Sequence, residues 1–96
     1  MSQCLGMLTA ELFIPESHSL KDRRSVVTSL KERIRNRYNV SISEAGGAER
    51  WQRADFSVAC VADTERAVEH VLHGVIRLIE SDGRCELLRP RIEYYA

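Results

Sequence analysis

The chain has 96 residues, 44% of them hydrophobic and 29% charged, with a formal net charge of zero. That size admits a single domain, residues 1–96, and that composition excludes a disordered or collagen-like chain. No apolar run approaches the ~18 residues of a membrane span, and the opening MSQCLGMLTAELF lacks the basic region of an export signal, so a cytoplasmic protein without a membrane partner is expected.

Residues 5–14 (LGMLTAELFI) alternate as a strand. Leu8, Ala10, Leu12 and Ile14 fall on one face, Met7, Thr9, Glu11 and Phe13 on the other, and Pro15 ends the run. Ser19 is placed to cap a helix over 20–38, with Asp22 in its first turn to complement the dipole. Leu20, Val27, Leu30, Ile34 and Tyr38 recur at helical spacing, and Asn39 suits a left-handed termination. Residues 40–45 alternate again, Val40 and Ile42 inward, and Gly46-Gly47 marks a hairpin turn. The return strand, 51–62, sets Ala54, Phe56, Val58 and Cys60 on one face and Trp51, Arg53, Asp55 and Ser57 on the other. Asp63 or Thr64 caps a second helix of about 64–81, striped by Val68, Val71, Leu72, Val75, Leu78 and Ile79 and closed by Asp82-Gly83. The last strand, about 85–95, contains Pro90, which cannot donate to a ladder and so requires an edge. The order β-α-β-β-α-β with right-handed crossovers predicts a ferredoxin-like α+β sandwich. Its four-stranded antiparallel sheet has order 4-1-3-2, and both helices cover one face.

Three stretches carry a resemblance. They are Pro15 to Arg24 (P-x-S-x-SLK-x-x-R), Arg35 to Glu44 (R-N-R-Y-N-V-S-x-x-E) and Trp51 to Ala54 (WQRA). Together they resemble the YlxP-like family of small bacterial proteins over nearly the whole chain. The resemblance implies a ferredoxin-like fold and no established activity. It also implies a gene neighbourhood of translation-initiation and ribosome-maturation factors in many bacteria. The Gly46-Gly47 pair stands where the family has a more acidic turn.

Signatures of catalysis are absent: there is no phosphate-binding glycine loop, no HExxH and no nucleophile elbow. Cys4, Cys60 and Cys85 form an odd set without CxxC spacing, so free thiols are expected, with no metal and no cofactor. His70 and His73, beside Glu69, could face one metal ion from a helix, but no third ligand is indicated. A solvated flank is the simpler reading, as a solvated loop is for His18. Glu44 shares the inward parity of Val40 and Ile42. A buried carboxylate needs a cation, and an arginine on the first helix, for example Arg35 or Arg37, is the expected partner unless Glu44 sits at an exposed strand end. A catalytic carboxylate is the other reading.

Two surfaces remain. Leu20 to Tyr38 holds seven basic residues against Asp22 and Glu32, an excess of +5 that the rest of the chain balances with −5. Lys21, Arg24, Lys31 and Arg35 share one outer stripe, flanked by Arg23 and Arg37. Clustered cations of this kind suit RNA phosphates, and arginine adds a planar fork. The expected function is therefore a non-catalytic RNA- or ribosome-associated factor. The uncovered sheet face is the second surface. By parity it carries Phe13, Trp51, Arg53 and Leu87. It lacks the aromatic pattern of an RRM, since Phe56 points inward. This face supports the alternative, a homodimeric protein-interaction module.

Overall fold

The computed structural model describes residues 3–45 and 50–95. Its elements are β1 (Cys4–Phe13), α1 (Leu20–Arg37), β2 (Ser41–Ala45), β3 (Arg53–Ala62), α2 (Glu65–Glu80) and β4 (Glu86–Tyr95). The four strands form one antiparallel sheet in the order β2-β3-β1-β4, so the ferredoxin-like arrangement is present with β4 at an edge. The Gly46-Gly47 turn lies outside the described residues.

Alternation drives the sheet. Leu8, Leu12, Ala54, Phe56 and Val58 point to the helices and are buried, as are Val27, Leu30 and Ile34 of α1 and Val68, Leu72 and Val75 of α2. Both helices therefore cover the same face. Gly6 lets α2 approach closely, because a Cβ there would overlap the Val68 side chain and press on Leu72.

The helix starts follow the expected chemistry. Ser19 Oγ accepts from the Asp22 N–H at 3.0 Å, and the Asp22 carboxylate accepts in turn from the His18 N–H at 3.0 Å. Thr64 Oγ1 accepts from the Ala67 N–H at 3.0 Å. The ends differ from expectation. Asn39 is not left-handed; α1 leaves through an extended Tyr38 (φ −132°), whose ring packs over Gly74 of α2. After α2 the Asp82 carboxylate, rather than a left-handed glycine, organises the turn. It accepts from the Arg84 N–H at 2.9 Å and from the Arg84 guanidinium at 2.7 Å.

Pro90 produces the largest departure from simple parity. Thr9 pairs with Arg91 but Glu11 pairs with Leu88, so Arg89 and Pro90 together oppose Ala10 in a bulge. Arg89 takes a left-handed φ of 52° to make it. The extra residue inverts the facing of the strand before it. Leu87 pairs with Leu12 and packs against the core, so its expected place on the uncovered face is corrected; Leu88 stands there instead.

Candidate functional site

The basic face of α1 is built by what its apolar stripe leaves over. Lys21, Arg24 and Arg35 are exposed and Lys31 is half-buried, the four running along one flank of the stripe of Val27, Leu30 and Ile34. From Lys21 to Arg35 the helix rises about 21 Å at ~1.5 Å per residue. Among the described residues none of these four forms an ion pair.

The other cations of α1 have partners within the chain, and one of them is buried. Arg23 is buried, only 4% exposed, and its guanidinium pairs with the Glu44 carboxylate. Its Nε donates to the Arg53 carbonyl at 2.7 Å. The partner of Glu44 is thus an arginine of the first helix, as expected, but Arg23 rather than Arg35 or Arg37. The signal was present in the sequence. Arg23 stands four residues before Val27 and seven before Leu30, on the buried stripe itself. Arg37 instead lies over the Tyr38 ring, 5.9 Å from its centroid.

Arg33 donates to Asp82 at 2.9 Å, and Arg84 spans Asp82 and the Ser29 hydroxyl. This network ties α1 to the turn after α2. The hydrogen bond from the Arg84 side chain is the main cause holding the Asp82 carboxyl down at about 2, against an opposing push from burial. A carboxylate depressed in the fold stabilises it above the unfolded value near 4, and that stability disappears as pH falls towards 2. Asp82→Asn is expected to cost about 1–2 kcal/mol at pH 7, allowing for the half-exposed arginines. The difference from wild type should vanish near pH 2. Urea titrations at the two pH values check this; equal differences at both would contradict it.

The uncovered sheet face divides into two ends. At one end Val61, Leu5 and Tyr95 form a row across β3, β1 and β4, at 60%, 38% and 44% exposure. At the other, Phe13 pairs with Arg53 across the sheet, and the guanidinium of Arg53 sits 4.9 Å from the centroid of the Phe13 ring. Glu11 accepts from Arg53 at 3.0 Å and lies 3.9 Å from Arg50, which also approaches Asp55 at 3.6 Å. Trp51, half exposed, stands in the turn just before β3. Of the residues expected on this face, Phe13, Trp51 and Arg53 come together and Leu87 does not. The apolar row was missed, because it emerges only when the register aligns Leu5 with both Val61 and Tyr95.

Elsewhere, His73 lies 3.7 Å from Glu69 on the solvent side of α2. No group of three metal-binding side chains occurs among the described residues. Cys4, Cys60 and Cys85 carry free thiols, and burial pushes the Cys60 and Cys85 thiols up. Among the described residues no helix is long and apolar enough to cross a membrane.

These features define a small ferredoxin-like α+β domain with one cationic helix face and one open sheet face. The chain belongs to the DUF503 family, a family of proteins of unknown function, which its residues 5–92 match. It is 34% identical over 91 residues to the uncharacterized protein YlxP of Bacillus subtilis (strain 168), covering 95% of this chain and 99% of that one. Among solved structures, the de novo designed protein Foldit4 superposes with a TM-score of 0.55 at 13% identity, over 99% of this chain and 98% of the other. A C-terminal segment of the alpha subunit of aIF2 from Pyrococcus abyssi superposes with a TM-score of 0.52 at 19% identity, over 88% of this chain and 50% of that one. Both are likenesses of fold.

Proposed function

We propose that the protein is a non-catalytic, cytoplasmic RNA- or ribosome-associated factor that contacts phosphates through α1. One observation carries this reading. Lys21, Arg24, Lys31 and Arg35 line one side of α1 with no ion pair among the described residues, although Arg23 and Arg33 of the same helix are both paired. Cations left unanswered in a chain of zero net charge attract polyanions and release counterions on contact. The double substitution Lys31→Glu with Arg35→Glu reverses two of the four charges and leaves Val27, Leu30 and Ile34 in place. It should cost only about 0.5 kcal/mol per site in stability. Binding of single-stranded RNA, followed by anisotropy at low salt, should fall by about tenfold or more. Equal binding by folded wild type and variant would refute the helix as the contact.

A second reading is supported by the Val61–Leu5–Tyr95 row. Apolar side chains aligned across an open sheet suit a homodimer that stacks the two faces, with Phe13, Trp51 and Arg53 at its other end. Self-association that is insensitive to salt would favour it.

A further inference from the structure

We propose that the notch bounded by Phe13, Trp51 and the guanidinium groups of Arg50 and Arg53 receives one unpaired base of a single-stranded RNA whose phosphates run along α1. The proposal rests on the phosphate-binding reading of that helix.

The notch is a cavity of about 330 Å³ lined by Phe13, Arg50, Trp51, Gln52 and Arg53. Its chemistry is that of a stacking platform: an indole half open to solvent, a phenyl ring, and two guanidinium planes. Glu11 holds Arg53 at 3.0 Å, so that side chain is positioned before any ligand arrives. The same carboxylate, with Asp55 near Arg50, answers the local positive charge. A phosphate would meet these carboxylates at a disadvantage. A neutral base would not, and flat π-faces suit it better.

The notch is also fixed to the start of the basic helix. The Gln52 amide donates to the Pro15 carbonyl at 3.1 Å and to the Ser17 carbonyl at 3.4 Å, pinning the loop that enters α1. Arg23, in the first turns of α1, donates to the Arg53 carbonyl. Lys21 and Arg24 belong to the same first turns of α1, so the cationic stripe starts at this end of the fold, and the strand would round the end of the sheet to reach the notch on its uncovered face. The apolar row that suits a second copy lies at the opposite end of the sheet, eight residues along β3 from Arg53 to Val61, or about 26 Å.

Trp51 is the only tryptophan of the chain, so tryptophan emission, excited selectively over the tyrosines, reports on this site alone. The probes are a short single-stranded oligoadenylate and an abasic strand of equal length and charge. Oligoadenylate should quench Trp51 saturably and bind about tenfold more tightly than the abasic strand. Trp51→Ala should lose about that factor for oligoadenylate and nothing for the abasic strand, while Trp51→Phe keeps most of it. Binding of both strands with equal affinity and unchanged emission overturns the notch and leaves the helix reading intact. Quenching that survives Lys31→Glu with Arg35→Glu at full affinity supports the notch and overturns the helix reading. Trp51→Ala that dissociates a dimer without altering RNA affinity assigns the notch to a second copy and overturns it.

Discussion

Glu44→Ala is expected to destabilise the protein by about 3 kcal/mol, the lower end of the range for breaking a buried ion pair, and to lower Tm by about 15 °C. The Arg23 side chain is only 5% exposed, so without Glu44 its guanidinium keeps a single carbonyl partner, that of Arg53, and a charge is left in the interior. Glu44 itself retains 23% exposure, which places the cost at the low end. Replacing both partners with apolar residues, Arg23→Met with Glu44→Leu, should recover most of the loss, because no charge then remains to desolvate. Thermal melts of the single and double variants test this. A single variant as stable as wild type would show that the pair does not support the fold, and would return Glu44 to consideration as a reactive carboxylate.

Gly6→Ala is expected to cost about 2–3 kcal/mol, as overpacking of a filled core does. The added methyl would overlap Val68 and lie 3.2 Å from Leu72, both fully buried on the inner side of α2, and 3.5 Å from Tyr94 on the adjoining strand. None of these is a flexible surface side chain, so the helix must lift from the sheet. Val68→Ala should make room for the methyl. The cost of the pair should therefore fall well below the sum of the single costs in a denaturation cycle. Simple additivity would mean that β1 and α2 do not meet at this point.

The fold was legible because its elements switch period cleanly. Alternation in β1 and β3, the three-to-four spacing in α1 and α2, and the capping side chains of Ser19 and Thr64 all agree with the structure. Pro90 placed β4 at an edge correctly, yet the same residue hid the facing of Leu87. A proline can be accommodated by a bulge, and a bulge inverts every residue before it. By its charge Arg23 counts with the cations that flank the outer stripe. Its position among Val27, Leu30 and Ile34 carried the better information, because a buried stripe accepts an arginine when a carboxylate meets it. The Val61–Leu5–Tyr95 row belongs to three strands far apart in sequence, and no local pattern displays it.

RNA contact through α1 is tested most directly by the salt dependence of wild-type affinity for single-stranded RNA. Four phosphate contacts correspond to a log–log slope of about −2.8, at about −0.7 for each on a single strand. Loss of Lys31 and Arg35 to charge reversal should bring that slope to about −1.4. A wild-type slope near zero, or one that the double variant leaves unchanged, would contradict phosphate binding by this helix.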